Sequence, residues 1–405
     1  MMSHAPAAMT AIACRSCSGT DHRRIDRNMP MMVPDPYPLS GDMALLLCKD
    51  CGFVGNHSPS TGDDYAAYYM SNNKHHARAG ALHDLDEAYF EQLLDLVEAE
   101  GRIHWRQTDI LDWGSGALLF SQVAKRRGAR SVGNYDMGNA IPNTAHGVIA
   151  STHCIEHVLD FNAEFSRIHA ALDRDGLFLI ATPDIRGYEA IYWGPFAAFD
   201  LEHINHFDIL TLGQALARAG FEIIAVREGE RRVTPTLAYP EILMLARRVE
   251  GPAPKPALLS TRDAPAMVLD RYLARAERDL GAMVDTVYDR LGDHDARGEA
   301  VSVGFYGVAS YAFRLLRTLK DRDFTRIEWI ADSDARLAGS LLYGQAIKDL
   351  AGFSAWVDQC AQRGVRCLAF IAAVNAPRIR DFLQDRFGDR LDICVLPPDC
   401  QNREA

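Results

Sequence analysis

The sequence predicts an α/β protein with a small zinc-binding N-terminal module, a central Rossmann-like domain and a second Rossmann-like domain at its C-terminal end. Three observations indicate this: two Cys-x-x-Cys pairs, a central series of alternating strands and helices, and a second such series after a Pro-rich break. A chain of 405 residues is too long for one ordinary core. We expect the module over residues 1–80, the central domain over 81–250, a linker and long helix over 251–298 and the last domain over 299–405.

The composition is that of a soluble globular protein, with 48% apolar and 24% charged residues. The formal net charge is −11 and the basic runs are short and scattered, which argues against a nucleic-acid partner. We see no signal peptide and no stretch of about 18 apolar residues that would cross a membrane. Nine cysteines, an odd number, argue against a disulfide framework. We therefore expect a cytoplasmic protein that acts on a small molecule.

The two cysteine pairs are Cys14-Arg-Ser-Cys17 and Cys48-Lys-Asp-Cys51. Each pair brings two thiolates within reach of one ion, and two pairs complete a tetrahedral zinc site. Free cysteines or a thioredoxin-like redox pair are the alternatives, but no βαβ pattern surrounds either pair. With four protein ligands the zinc has no open position, so we expect it to be structural.

The central region alternates strands with helices, which favours a parallel, doubly wound sheet. A helix with apolar residues at helical spacing is expected over residues 82–100. The predicted strands that follow are Thr108–Trp113, Ser131–Tyr135, Gly147–Ser151, Gly176–Thr182, Glu222–Arg227 and Glu241–Ala246. The predicted helices are Leu118–Arg127, Phe161–Leu172 and Leu210–Ala219.

A glycine loop, Asp112-Trp-Gly114-Ser115-Gly116, joins the first of these strands to its helix. Glycines there let the backbone approach a ligand closely, and the helix N-terminus favours a carboxylate or phosphate. Asp136 ends the next strand, where an acid can hold ribose hydroxyls. We assign these residues to a nucleoside cofactor, and S-adenosylmethionine is the one expected.

The segment after Asp136 is short. Only Met137–Gly147 separate it from the next apolar strand, whereas a parallel crossover needs about a dozen residues. One connection fits there and two do not, so the sheet lacks one strand–helix unit of a complete methyltransferase domain. Leu118 also stands where a third glycine is usual. A Rossmann-type domain with a vestigial site is the alternative interpretation.

Two histidine motifs lie at predicted strand ends. His153-Cys-Ile-Glu156-His157 matches the inverted zincin signature, but it follows a strand rather than lying on a helix. We treat that match as a coincidence and place His153 in the cofactor or substrate cleft, where α/β sheets bind ligands.

The second motif, Glu202-His203-Ile-Asn-His206, lies in a loop before a helix. A histidine beside a carboxylate can act as a general base near neutral pH, so His203 is the candidate base and His206 a candidate substrate contact. The alternative is that His203 only caps or packs against the following helix.

The C-terminal region follows the Pro-rich break Gly251–Pro256 and a long helix expected over Pro265–Leu291. Its predicted strands are Ala300–Tyr306, Arg326–Ala331, Arg366–Ala372 and Leu391–Leu396. The turn Gly304-Phe-Tyr-Gly307-Val-Ala309, with Asp332 at the next strand end, is typical of a nucleotide-binding edge.

The twin cysteine pairs, the Glu202-His203-x-x-x-Phe207 loop and the Gly304–Ala309 turn together identify a family. The chain resembles the sugar C-methyltransferases of deoxysugar biosynthesis across nearly its full length. That resemblance implies a zinc-binding N-terminal domain, a class I S-adenosylmethionine-dependent methyltransferase domain and a C-terminal Rossmann-like domain. It implies methylation of an activated carbon, as in a nucleotide-linked keto-deoxysugar at the carbon beside its ketone.

Residue by residue, the resemblance makes the four cysteines zinc ligands and His203 the base that removes the α-proton, supported by Glu202. It makes Tyr69 an active-site tyrosine, and it gives Gly307 and Asp332 to the sugar nucleotide. The cofactor region is shorter than the family's, since Gly116-Ala-Leu replaces an Asn-Asp-Gly run after Gly-Ser. Two other readings stay open: an isomerase or cyclase that transfers protons only, and a non-enzymatic pseudo-methyltransferase subunit.

Overall fold

The computed structural model of the chain contains three β-sheets within the residues that it describes. The structure describes residues 12–71, 84–136, 144–234, 237–251, 253, 263–308, 310–373 and 375–396. Residues 82 and 83 of the first predicted helix, most of the short segment after Asp136, and residue 309 of the C-terminal glycine turn lie outside those residues.

The five helices whose bounds were predicted begin within two residues of the prediction, and all but the long one, which ends at Ala296 instead of Leu291, end within one residue of it. The described helices are α1 (Gly62–Ser71), α2 (Asp84–Gly101), α3 (Leu119–Arg127), α4 (Phe161–Ala171), α5 (Ile209–Arg218), α6 (Ala264–Ala296), α7 (Ser310–Asp321), α8 (Leu350–Gln362) and α9 (Ala376–Phe387). None of these helices combines the length and the apolar character that a membrane span needs.

The strands include short ones in the N-terminal module that periodicity does not reveal. They are β1 (His22–Ile25), β2 (Ala44–Cys48), β3 (Val54–His57), β4 (Asp109–Trp113), β5 (Ser131–Tyr135), β6 (His146–Thr152), β7 (Leu172–Pro183), β8 (Asn205–His206), β9 (Phe221–Arg232), β10 (Ala238–Arg248), β11 (Val301–Tyr306), β12 (Ile327–Ala331), β13 (Leu341–Leu342), β14 (Gln345–Lys348), β15 (Arg366–Ile371) and β16 (Leu391–Val395).

The N-terminal sheet has the order β1-β2-β3-β8 and is antiparallel throughout. Its last strand, β8, comes from the middle of the chain and pairs Val54 with His206 and Gly55 with Asn205. The loop that carries the predicted base therefore ends as a strand of the cysteine module. This pairing fixes the base loop against the module, about 150 residues away in the sequence.

The central sheet has the order β5-β4-β6-β7-β10-β9. Strands β4 to β7 pair in parallel with one another, but β10 runs antiparallel to both β7 and β9. The expectation of a wholly parallel sheet is therefore wrong at this strand. The reason is the connection between Arg232 and Ala238, which is too short for a parallel crossover.

The loss of one strand–helix unit fits this sheet, because β5 is its edge among the described residues. The parallel strands bury apolar residues on both faces, as a sheet covered by helices must. Leu111 and Ile149 pack with α4 and α5, whereas their neighbours Ile110 and Val148 pack with α2 and α3. The predicted α/β fold class is confirmed.

The C-terminal sheet has the order β13-β14-β12-β11-β15-β16, and its five strands from β14 to β16 are parallel. The 33-residue helix α6 leads into it. Tyr272, Met283 and Val287 of α6 are buried in one apolar cluster that also contains Leu45 of the N-terminal sheet and Phe305 of the C-terminal sheet. The long helix thus packs the first and last parts of the chain together.

Candidate functional site

The four predicted zinc ligands lie together. Their Sγ atoms are all within 4.8 Å of one another, with Cys14 to Cys51 at 3.7 Å and Cys17 to Cys48 at 3.5 Å. Tetrahedral zinc with Zn–S bonds of about 2.3 Å separates its sulfurs by about 3.8 Å, so the four thiols fit one zinc ion. The hydrogen bond between Cys14 and Cys51 lowers the pKa of Cys14 and raises that of Cys51, so the two thiols share a proton that a bound metal would displace.

The glycine loop after β4 meets the acid after β5. Gly114 and Gly116 have φ values of +81° and +42°, and the Gly116 amide donates to Asp136 Oδ2 at 3.2 Å. A Cβ on Gly114 would lie 2.4 Å from the Sγ of Cys154, so only glycine fits there. The positive φ and the close approach suit a nucleoside cofactor, which Gly114, Ser115, Gly116 and Asp136 would hold.

Asp112 has a different environment from the rest of this loop. Its side chain is buried, and the hydroxyl of Ser121 on α3 donates to it at 2.7 Å. Burial raises the pKa of Asp112 to about 7, because a desolvated carboxylate is costly. Asp112 therefore ties α3 to β4 under the loop and does not face the cleft in this structure.

His153 is held between two buried carboxylates. Its Nε2 lies 2.7 Å from Glu241 Oε1 and its Nδ1 lies 3.3 Å from Glu156 Oε1. Tyr89 of α2 donates to the same oxygen of Glu241 at 2.5 Å. Burial lowers the pKa of His153, but the two carboxylates outweigh it and the net shift is upward. Both ring nitrogens of His153 thus face carboxylates, and the side chain links β10 to the turn after β6. This arrangement suits a structural link better than direct contact with a cofactor.

The candidate base lies in a cluster that the histidine motifs alone do not reveal. Ligand atoms of Glu156, His157 and His203 lie within 4.8 Å of one another, and the two imidazole rings meet edge to face at 4.8 Å. His157 Nδ1 contacts the backbone oxygen of Glu202 at 2.9 Å. Burial and the neighbouring His203 lower the pKa of His157, which favours its neutral form.

The two halves of this cluster follow different strands. Glu156 and His157 come directly after β6, whereas His203 comes from the loop after β7. An imidazole beside a carboxylate can accept a proton from a carbon acid, and the carboxylate stabilises the imidazolium that forms. Burial raises the pKa of Glu156, but the contact with His153 outweighs it and the pKa is lowered to about 2. Glu156 is therefore ionised across the physiological range.

Two tyrosines of α1 face the cluster. The Tyr68 hydroxyl donates a hydrogen bond to Oε1 of Glu202. Tyr68 is therefore the tyrosine that contacts the carboxylate expected to support the base. The ring of Tyr69 lies 6.0 Å from the His157 ring, and its buried hydroxyl has no hydrogen-bond partner among the described residues. Burial raises the pKa of Tyr69, so its phenol stays protonated and can donate.

His206 lies on the other side of the base loop. It is buried, with Nδ1 at 3.1 Å from the Tyr188 hydroxyl and Nε2 at 3.1 Å from Asn56 Oδ1. Burial lowers its pKa well below the usual range, so the ring is neutral. The structure thus gives His206 a packing role instead of the expected place in the cleft, because it is a residue of strand β8.

The C-terminal glycine turn repeats the arrangement of the central sheet. Gly307 has a φ of +86°, and the amide of Val308 donates to Asp332 Oδ2 at 2.7 Å. Arg336, four residues beyond Asp332, donates to the Ser71 backbone oxygen at 3.3 Å. This edge of the C-terminal sheet therefore lies beside the end of the helix that carries the two tyrosines.

Glu156, His157 and Tyr68 are the functional candidates that sequence reasoning missed. Glu156 and His157 lie in the motif His153-Cys-Ile-Glu156-His157. The motif was compared only with a metal-binding signature, and of its residues only His153 was assigned to the cleft. Tyr68 adjoins the predicted Tyr69, and only the helix direction decides which of the two faces Glu202.

One family model matches the central region. It is described as a methyltransferase domain and matches residues 82–226, within the range in which such a domain was predicted. No match was found among curated proteins.

Two solved structures of methyltransferases are each similar to about half of this chain or less. One is the 1,6-didemethyltoxoflavin-N1-methyltransferase of Burkholderia thailandensis, solved with 1,6-didemethyltoxoflavin and S-adenosylhomocysteine, at 16% identity and a TM-score of 0.37 over 51% of this chain and 96% of that chain. Another is an S-adenosylmethionine dependent methyltransferase of Mesorhizobium loti, at 20% identity and a TM-score of 0.31 over 40% and 98% of the two chains.

Proposed function

We propose that this methyltransferase-domain protein is an S-adenosylmethionine-dependent C-methyltransferase that acts on a carbon beside a ketone in a small metabolite. The observation that carries the proposal is the meeting of an unpartnered, buried tyrosine hydroxyl with a His–His–carboxylate cluster at the strand ends of that domain. A base and a hydrogen-bond donor are the two groups that formation of an enolate needs.

The chain's own residues divide the work as follows. His203 takes the α-proton, with His157 and the ionised Glu156 beside it to stabilise the imidazolium that forms. Tyr69 donates to the oxygen on which the enolate charge develops. Tyr68 holds the Glu202 carboxylate, and with it the segment next to the base.

When bound, S-adenosylmethionine would supply an electrophilic sulfonium methyl group to the carbon from which His203 takes the α-proton, and it would leave as S-adenosylhomocysteine. Gly114, Ser115, Gly116 and Asp136 are the residues that would hold the cofactor. Zinc at the four cysteines would contact neither the substrate nor the transferred methyl group, because the four thiolates fill its coordination positions.

We further propose a nucleotide-linked keto-deoxysugar as the substrate class. Gly307 and Asp332 are candidates for contacts to its nucleotide, and the Arg336 contact to Ser71 supports a path from that edge to the tyrosine helix. A sugar nucleotide has both the ketone that acidifies a neighbouring carbon and a distant nucleotide for binding. The family resemblance points to the same class.

The test separates proton removal from methyl transfer. Zinc-loaded protein is incubated in deuterated buffer with a nucleotide-linked keto-deoxysugar. In one reaction S-adenosylhomocysteine is added, and exchange of the α-proton is followed by NMR. In the other S-adenosylmethionine is added, and methylation is followed by mass spectrometry. We expect His203→Gln to lower both rates by about 10²–10⁴-fold. We expect Asp136→Ala to lower methylation but leave exchange.

The surface variant His104→Gln is the control, since His104 is an exposed histidine of the same domain. Full exchange in His203→Gln would refute the base assignment. Exchange without methylation in the unmodified protein would favour the isomerase or cyclase reading, and the absence of both would reject this substrate class.

A further inference from the structure

Asn56 on β3 holds the base loop from behind. Its side-chain nitrogen donates to the backbone oxygens of Asp200 at 2.8 Å and His203 at 2.9 Å, and its side-chain oxygen lies 3.1 Å from His206 Nε2. Asn56 is 5% exposed, so these bonds are made without competing water. A single buried amide therefore holds the backbone before Glu202, at Asp200, and after it, at the candidate base His203.

Arg15 brings the first cysteine pair to the same loop. It lies between Cys14 and Cys17, its Nη1 donates to Asn205 Oδ1 at 2.9 Å, and its Nη2 donates to the backbone oxygen of Asn56. A guanidinium presents its donors in a rigid planar fork, which suits two acceptors in fixed positions better than the compact ammonium of a lysine does.

Asn205 extends this contact to the other half of the cluster. Its side-chain nitrogen donates to the backbone oxygens of Val158 at 2.7 Å and Ile155 at 3.1 Å, on either side of His157. The backbone amide of Ile204 donates to the backbone oxygen of Glu156 at 2.9 Å. The turn after β6 and the base loop are thus joined at the residue that Arg15 contacts.

The approach of Arg15 to β3 is close. A Cβ on Gly55 would lie 3.1 Å from Arg15 Nη2, so the guanidinium packs directly on the strand backbone. The position of Arg15 depends on the turn between the two cysteines, and four-fold ligation of a metal fixes such a turn. We therefore expect removal of a bound metal to free the turn and to weaken both guanidinium hydrogen bonds.

We propose that Arg15 and Asn56 are positioning residues through which the metal at the four cysteines orders the His203 loop. The cysteine module then does more than stabilise its own fold, because its occupancy sets the geometry of the candidate base. The inference shares a site with the proposed function and rests on it only for the role of His203. Its test needs no substrate, so the two can fail separately.

The first measurement is hydrogen exchange by mass spectrometry on the full chain, zinc-loaded and after chelation. We expect chelation to speed amide exchange in residues 200–206 and 155–158 by more than tenfold, with β11 and β15 of the C-terminal sheet unchanged. We expect Arg15→Lys and Asn56→Ala to have the same local effect while metal analysis still finds one zinc per chain.

The second measurement is the NMR signal of the His203 imidazole in each protein. Because lysine keeps the charge of arginine, a shifted or broadened His203 signal in Arg15→Lys reports changed geometry and not a lost charge. The exposed histidine His104 should keep its signal. Arg24→Lys, at an exposed arginine of the same sheet, and Asn375→Ala, at an exposed asparagine, are the matched controls.

The proposal is overturned if exchange in residues 200–206 does not respond to Arg15→Lys or Asn56→Ala in protein that retains zinc. It is also overturned if chelation loosens β1 to β3 but leaves the base loop and the His203 signal unchanged. Should chelation unfold the whole chain, the two zinc-retaining variants decide the matter by themselves.

Discussion

The two Rossmann-like sheets of this chain use the same device at their carboxyl edges. In each, a glycine with positive φ follows the first strand, and an aspartate after the second strand accepts an amide hydrogen bond from that turn. The Gly116 amide to Asp136 distance is 3.2 Å in the central sheet, and the Val308 amide to Asp332 distance is 2.7 Å in the C-terminal sheet.

The sheets differ at the strand that completes the edge. After β6, the central sheet continues into His153, Glu156 and His157, whereas β15 of the C-terminal sheet continues into Ala372 and Ala373. Only the first set can hold or move a proton. The comparison teaches that the shared edge supplies a place for a nucleotide, while the chemistry depends on which side chains the next strand delivers.

The largest expected difference concerns the two glycines. Gly114→Ala places a Cβ 2.4 Å from Cys154 Sγ, whereas the same change at Gly307 meets nothing closer than Ile379 at 3.5 Å. Both changes strain a positive φ, but only the first displaces the cofactor loop. We expect Gly114→Ala to weaken S-adenosylmethionine binding by more than about 30-fold, from about 2 kcal/mol of strain and displacement. Gly307→Ala should leave that affinity within a factor of two, as measured by calorimetry.

Cys154→Ala supplies the internal control for this comparison. Because it removes the sulfur that the new Cβ would meet, the double variant with Gly114→Ala should regain part of the affinity. Equal losses in the two single glycine variants would mean that the sheets do not differ as described.

A smaller difference concerns the residue two positions before each glycine. That residue is Asp112 in the central sheet and Phe305 in the C-terminal sheet, and both are buried. The folded-state pKa of Asp112 is raised to about 7, so between about pH 4 and pH 7 the folded state keeps a proton that the unfolded state has lost. Its contribution to stability is present below pH 4 and is lost as the pH rises through 7.

We expect Asp112→Asn to flatten this dependence, because asparagine fills the same space without titrating. The slope it removes is at most about 1.4 kcal/mol per pH unit. Urea denaturation at pH 5 and pH 8 measures it, with Asp285→Asn as an exposed control. A pH dependence that survives in Asp112→Asn would place the titrating group elsewhere.

The sequence allowed prediction of those parts of the molecule that are local in the chain. The two cysteine pairs, the glycine loop with Asp136 and the Gly307 turn with Asp332 each depend on spacing within one or two elements. The α/β class follows from the alternation of apolar runs. The antiparallel β10 was not open to prediction from the expected bounds, since they leave thirteen residues before Glu241, enough for a crossover. Only the observed extension of β9 and β10 shortens that connection to five residues.

The parts that sequence could not reveal depend on the order of strands in space. Nothing in the chain says that Glu156 and His203, 47 positions apart, meet, because that requires β8 to join the N-terminal sheet. The assignment of His206 to the cleft failed for the same reason. Neighbouring residues of a two-residue strand face opposite ways, and a motif does not give the register.

The most direct test of the account is calorimetric titration of S-adenosylmethionine and S-adenosylhomocysteine into zinc-loaded protein, with Asp136→Ala and Asp332→Ala as a matched pair. These residues occupy equivalent positions in the two sheets. The account predicts micromolar binding that Asp136→Ala abolishes and Asp332→Ala leaves intact. Binding that survives Asp136→Ala, or that is lost in Asp332→Ala, would contradict the claim that the central sheet is the methyl-transfer site.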